Sequence, residues 1–267
     1  MRLNKYISHN SKHSRRDADK LIEEGKVTVN RKVVQDFGYD VQDGDFVNVD
    51  NRAIKKRTET TVIVYNKPKG VLVTKKDDRG RATIYHKLSG KYRHFIPVGR
   101  LDYASEGLLI LTDSPSVADA LMKSELPRTY NIKIDKPISK EMIDGMKSGL
   151  ILDDARAGGH EKSKIYSMEF APFAAFEVRG ENKSYSKLRV TISEGQNREL
   201  RRFFGHFGAN VVDLKRVAFG DIELNNLPTN KSRYYTRREY DDLYKFLKSK
   251  DKKDKRDSKS KDTIITK

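Results

Sequence analysis

The stretch Gly99-Arg100-Leu101-Asp102-Tyr103-Ala104-Ser105-Glu106-Gly107-Leu108-Leu109-Ile110-Leu111-Thr112 decides how this chain is read. Leu108 to Leu111 form a short, continuously apolar run, the pattern of a strand buried on both faces. Asp102 stands in a glycine-bounded loop just before that run, at the edge of a rigid element. An isolated aspartate in such a loop would simply shape a turn. At the edge of a buried strand it is also where a reacting carboxylate would be held.

Outward from this loop the chain is basic, with 55 Lys and Arg against 38 Asp and Glu and a net charge of +17. Nucleic acid is the natural partner of such a chain. Residues 248–267 carry nine basic and four acidic side chains, so about +12 of the charge lies in the rest of the protein. The absence of cysteine excludes disulfides, thiolate metal sites and a cysteine nucleophile. The six histidines show no ligand spacing, and no metal is expected. No run of about 18 apolar residues exists to cross a membrane. The N-terminus opens on a charged amphipathic segment in place of a signal-peptide core, so a cytoplasmic location is expected.

At 267 residues, one large domain and one small one are expected. Residues 1–50 read as a compact unit. Leu3, Tyr6 and Ile7 share one helical face. Ser14 then caps a second helix, with Asp17 three positions on, Ala18, Leu21 and Ile22 as its apolar stripe and Gly25 at its end. Arg16 and Lys20 lie opposite that stripe and Arg15 on its flank, leaving a basic face for solvent or phosphate. Short strands follow at 27–29, 33–34 and 47–49. Residues 51–60 read as a linker, 61–247 as the large domain, and 248–267 as a lysine-rich tail expected to be disordered.

In the large domain, Val62 to Tyr65 and Val71 to Val73 read as strands broken by Asn66-Lys67-Pro68-Lys69-Gly70. Ser114 and Pro115 open a helix, and Thr236 with Glu239 caps another. Tyr130, Ile132 and Ile134 alternate as a strand, as do Leu188, Val190 and Ile192. Leu200, Phe203, Phe204 and Phe207 recur at helical spacing, so residues 197–207 form a helix ended by Gly208. On that helix Arg198 and Arg202 point away from the aromatic face, as solvated charges or phosphate contacts, while Arg201 lies at its margin. Gly158-Gly159-His160 reads as a flexible connection. The elements lack a regular crossover repeat, giving an α+β fold on a mixed, largely antiparallel sheet with flanking helices.

The run around Asp102 resembles the catalytic loop of the pseudouridine synthases, most closely the ribosomal RsuA/RluB type, whose pattern reads roughly G-R-L-D-x-x-[TS]-x-G-L-L-[LI]-L-T. Asn66-Lys67-Pro68-Lys69-Gly70 upstream and Glu194-Gly195-Gln196-Asn197-Arg198-Glu199-Leu200-Arg201-Arg202 downstream match in order, and the resemblance spans nearly the whole chain except the tail. Residues 1–50 resemble the S4 RNA-binding domain, through Ser14-Arg15-Arg16, Glu24-Gly25-Lys26-Val27-Thr28-Val29-Asn30 and Gly44-Asp45. Arg31 departs from that pattern, which has Gly after the Asn, so a wider turn is expected there.

The resemblance implies a curved sheet with an RNA cleft across its middle, and three residues meeting in it. Asp102 is the catalytic aspartate, which either attacks the ribose or removes a proton from it. Arg201 pairs with it as a bidentate cation. Tyr130, in Arg128-Thr129-Tyr130-Asn131-Ile132, stacks on the uracil or acts at C5. Leu214 matches a leucine of the uracil pocket and is equally an ordinary core leucine. Arg100 beside the aspartate fills the gap left by the flipped base. Lys67 and Lys69 serve as phosphate contacts or are plain exposed charges. The reaction exchanges one bond for another, so neither a redox cofactor nor a metal is called for. The expected substrate is a uridine of ribosomal RNA, with 23S favoured by the Asn197-Arg198-Glu199 spelling and 16S as the alternative. A monomer is expected. A non-catalytic RNA-binding or ribosome-assembly module would have no use for the Asp102, Tyr130 and Arg201 set, and a hydrolase of N-glycosidic bonds would need an activated water.

Overall fold

The computed structural model describes residues 1–56 and 59–264, with side chains described through Lys250. The N-terminal unit begins with two helices, α1 (Leu3–Asn10) and α2 (Arg15–Glu23). Four short strands follow, β1 (Val27–Val29), β2 (Lys32–Val33), β3 (Val47–Val49) and β4 (Arg52–Ala53), in the order β2-β1-β3-β4. Ser14 and Asp17 form the expected reciprocal cap on α2, at 3.2 and 3.0 Å. Leu3, Ile7, Ala18 and Ile22 bury their side chains against Val27, Val29, Val47 and Val49.

Two expectations change in this unit. The β1–β2 hairpin is tight, because Asn30 and Arg31 both take positive φ (51° and 67°). That is the geometry of a two-residue primed turn. Arg31 tolerates it because the Asn30 side chain is fixed by Asp45 at 2.8 Å and by the Phe46 amide at 3.0 Å. The segment read as a linker contributes β4, which pairs with β3.

The large domain is built on one sheet of nine strands. Its early elements are β5 (Val62–Lys67), α3 (Ile84–Lys87), β6 (Ile96–Pro97), β7 (Glu106–Thr112), α4 (Pro115–Met122), β8 (Arg128–Ile134) and α5 (Lys140–Ser148). Strands β9 (Leu150–Leu152) and β10 (Met168–Phe170) form a separate pair. β11 (Ala175–Asn182), β12 (Tyr185–Ile192), α6 (Glu199–His206), β13 (Val211–Phe219), β14 (Ile222–Glu223), β15 (Ser232–Tyr234) and α7 (Arg237–Ile264) complete the chain. The sheet runs β11-β12-β8-β13-β7-β5-β15, with β14 on β13 and β6 on β7. All its pairs are antiparallel except β13 with β7.

The apolar run at 108–111 owes its unbroken character to burial on both sides. Leu109 and Leu111 join Ile63 and Tyr65 in a core that also takes Met142 and Met146 of α5 and Leu200, Phe203 and Phe204 of α6. Leu108 and Ile110 face the other way, with Val62 and Val64, against Val117, Ala118 and Leu121 of α4 and Leu243 of α7. Successive strand residues point to opposite faces, so a strand between two cores must be apolar throughout.

One sequence reading differs from the structure in this domain. Val71 to Val73 is not a strand, since only Leu72 bridges to Thr83. The helix α7 runs into the lysine-rich segment as far as Ile264; that segment contains neither Gly nor Pro, and lysine is a good helix former. Residues 265–267 lie outside the described residues.

Candidate active site

Asp102 reaches the middle of the sheet because β7 is the neighbour of β13. The close parallel approach of these strands depends on Gly107, whose φ is +105° and where a Cβ would sit 2.2 Å from the Arg216 carbonyl oxygen. Only glycine adopts that backbone without strain and leaves the space. The turn from Asp102 to Ser105 precedes β7, with the Ser105 amide donating to the Asp102 carbonyl at 3.0 Å.

Lys67 braces this turn from beneath. Its ammonium donates to the carbonyls of Pro68, Asp102 and Ser105 at 3.0, 3.1 and 2.7 Å. It is fully buried, and burial pushes it down to about 8. Lys67 therefore does not contact phosphate as expected; it ties the end of β5 to the aspartate loop. Lys69 is exposed but forms an ion pair with Asp213 of β13, so it too is committed.

The arginines of α6 surround Asp102 differently from the helical-wheel reading. Arg201 is there, with Nε 3.9 Å from Oδ2, but the pair is not bidentate. Its Nη1 donates to the Val211 carbonyl at 2.8 Å, and Nη2 to Ser105 Oγ at 3.3 Å. Nε is buried without a hydrogen-bond partner and faces the carboxylate. Burial and Arg198 push the Arg201 guanidinium down, and Asp102 opposes them.

Arg198 comes closer still, with Nη1 3.6 Å from Asp102 Oδ2. It precedes α6 in the left-handed conformation (φ 53°), so its side chain does not follow the helix. Its Nε donates to the Gly158 carbonyl at 2.8 Å. The Gly158-Gly159-His160 segment is therefore a close backbone crossing, not a loose connection: a Cβ on Gly158 would lie 2.0 Å from the Arg201 carbonyl. Arg202 is also corrected. It is fully buried under residues 155–165, with bonds to the carbonyl of Ala155, to Asn197 O at 3.1 Å and to Ser163 Oγ at 2.8 Å. It cannot meet RNA phosphate. Arg15, Arg16 and Lys20 remain exposed on α2, as read.

Asp102, Ser105 and Arg198 line a cleft of about 340 Å³ that also takes in Arg100, Tyr130, Leu214 and Leu200, with Arg201 behind Asp102. Arg100 is exposed at its rim. Tyr130 and Leu214 line it and are also buried in the core beneath. The sequence reading overlooked Arg128, Arg216 and Glu199, which line the same cleft. Arg128 donates to Ser193 O at 2.7 Å and Ser124 O at 3.1 Å, over the Phe219 ring. Glu199 is buried and accepts from the Gln196 amide at 2.9 Å; burial pushes its carboxyl up to about 7, with Glu194 adding to the rise and Arg128 opposing it. The run Asn197-Arg198-Glu199 was legible as a motif, but burial of its glutamate is a tertiary property.

Comparison with known proteins decides the family. Residues 61–206, more than half of the chain, match the RNA pseudouridylate synthase family, and residues 1–47 match the S4 domain. The chain belongs to the RNA pseudouridine synthases. A Helicobacter pylori protein named uncharacterized RNA pseudouridine synthase is 48% identical over 249 residues, covering 92% of this chain and 95% of the relative. The ribosomal large subunit pseudouridine synthase B of Bacillus subtilis is 34% identical over 237 residues, covering 88% of this chain and 92% of its own. A crystal structure of a pseudouridylate synthase superposes with a TM-score of 0.60 at 23% identity, over 91% of this chain and 99% of the other. That similarity extends to the fold. This pseudouridine synthase is an isomerase that acts on RNA and carries an S4 RNA-binding unit. No helix among the described residues is long and apolar enough to cross a membrane.

Proposed function

We propose that this enzyme isomerises a specific uridine of ribosomal RNA, in the large-subunit 23S RNA, with Asp102 as the reacting carboxylate. The observation that carries the reading is a carboxylate at a cleft floor with two guanidinium groups 3.6 and 3.9 Å away and Tyr130 in the same cleft. Two guanidinium groups face the Asp102 carboxylate, and Arg201, fixed by Val211 and Ser105, sets its direction. The carboxylate either bonds to the ribose anomeric carbon or removes a ribose proton. Tyr130 lies against the uracil, Leu214 closes the pocket, and Arg100 at the rim holds the gap left by the flipped nucleotide. The exposed face of α2 carries the flanking RNA. Similarity to a protein named for the large subunit supports 23S RNA over 16S.

The test is to incubate in vitro transcribed 23S RNA with wild-type protein and with Asp102→Asn, then map pseudouridine chemically. Wild type is expected to modify one site and Asp102→Asn none. Product from both proteins would remove Asp102 from its role, product only on 16S transcript would change the substrate, and free uracil would indicate hydrolysis.

A further inference from the structure

The cleft holds one more buried cation, which the Asp102 constellation leaves unused. Arg216 lies on β13 two residues beyond Leu214, and the strand register sets it opposite Tyr130 on β8 and beside Gly107 on β7. Residues directly opposite in an antiparallel pair share a face of the sheet, so Arg216 and Tyr130 stand side by side in the cleft floor. Arg216 is only 4% exposed. Its Nε donates to the Leu108 carbonyl at 2.7 Å, and its guanidinium lies 5.6 Å from the Phe219 ring centroid. Its Nη2 is buried with no hydrogen-bond partner.

The other buried or half-buried arginines in and behind the cleft are committed. Arg201 and Arg198 face Asp102, and Arg128 spends both terminal nitrogens on carbonyls. Arg216 has no carboxylate within ion-pair distance among the described residues. A buried guanidinium without a counter-charge is costly, and a buried donor without an acceptor requires a reason. A ligand that brings negative charge to the floor supplies one.

We propose that Arg216 is a further catalytic residue, whose Nη2 binds the uracil as it leaves the ribose and holds the anionic base while it turns. This rests on the assignment of Asp102 above. When the bond from C1′ to N1 breaks, its electron pair leaves with the base, and the negative charge spreads from N1 to the carbonyl oxygens. Asp102 balances the sugar, either by bonding to C1′ or by taking a ribose proton. When C5 joins C1′, either the bond from C1′ to Asp102 breaks or Asp102 returns its proton to the ribose, C5 gives up its proton and N1 gains one, so the base is rearranged with no atom lost and no redox change. Between those events it is an anion. Asp102 is engaged with the sugar at that moment, and Arg201 is held beside Asp102. A fixed cation beside Tyr130 binds the anion more tightly than the neutral base, which is the condition for lowering a barrier. The floor position beside Tyr130 favours the base over a backbone phosphate, whose place is nearer the rim.

The experiment uses 23S transcripts made with uridine or with 5-fluorouridine, under single-turnover conditions with saturating enzyme. Arg216→Gln is expected to slow the uridine reaction by roughly 10²–10³-fold, the usual loss for one donor to a developing anion, and Arg216→Lys to slow it less, with RNA affinity nearly unchanged. Fluorine stabilises the departed anion by electron withdrawal, so the Arg216→Gln deficit in forming C-linked product is expected to shrink about tenfold or more on 5-fluorouridine RNA. A merely structural role predicts the same deficit on both. Equal deficits, or wild-type rates, would overturn the proposal. So would weakened RNA affinity with a salt dependence reduced by about one ion, which would mark a phosphate contact. A structure of Asp102→Asn bound to the target RNA tests the same point without altering Arg216: uracil O2 or O4 on Nη2 is expected, and a phosphate there would refute it. Activity retained by Asp102→Asn would instead overturn the underlying site assignment.

Discussion

Glu199 and Lys67 are two buried charges that sequence patterning would have left in solvent, and each is explained by its immediate partners. Lys67 gives its three donors to three carbonyls, which makes its burial tolerable and holds the backbone of the Asp102 loop. Glu199 has the Gln196 amide and a distant Arg128, too little to keep it ionised, and its carboxyl rises from the ordinary 4.5 to about 7. A carboxyl raised in the folded state binds its proton more tightly there than in the unfolded chain. Its contribution to stability is therefore complete below pH 4.5 and is lost as pH rises through about 7. The loss is at most about 3 kcal/mol. Glu199→Gln keeps an acceptor for the Gln196 amide without the titration. Urea unfolding from pH 5 to 8 is expected to show the wild type losing stability that the variant keeps; parallel curves would mean that Glu199 is already ionised at pH 5.

The elements that carry the cleft depend on close backbone crossings more than on side-chain chemistry. Helix α6 was legible from Leu200, Phe203 and Phe204, all buried as its period requires. The directions of its arginines were not, for two physical reasons. Arg198 sits outside the helix in a left-handed conformation, and the 155–165 segment folds over the side of α6 that carries Arg202. Strand β7 was legible from its apolar run, but its parallel seam with β13 rests on Gly107. Gly107→Ala puts a methyl group into the Arg216 carbonyl and strains a φ of +105°. The expected cost is about 2–4 kcal/mol in urea unfolding, with a loss of single-turnover rate as Asp102 moves away from α6. An unchanged midpoint would show that the seam can widen freely.

Across the whole molecule, the net basic charge lies outside the S4 unit, since residues 1–50 hold nine basic and nine acidic side chains and concentrate positive charge only locally, on α2. Arg15, Arg16 and Lys20 are exposed on α2, and changing all three to alanine is expected to weaken RNA binding chiefly at low salt. The slope of log affinity against log salt should fall by about two ions, with the rate at saturating enzyme preserved. An unchanged slope would move the RNA path off this face. The sequence by itself determined the two-unit organisation, the mixed sheet, the caps at Ser14 and Thr236, the family, and Asp102, Tyr130 and Arg201 as the set to examine. These follow from local periods, turn residues and ordered motifs, which are short-range in the chain. Tertiary structure alone decided that Lys67 and Arg202 are internal struts, that Arg198 turns toward Asp102, and that Arg216 and Glu199 face the cleft. Those outcomes depend on which backbone carbonyls and neighbouring charges meet a side chain across distant segments, and no periodicity along one element encodes that.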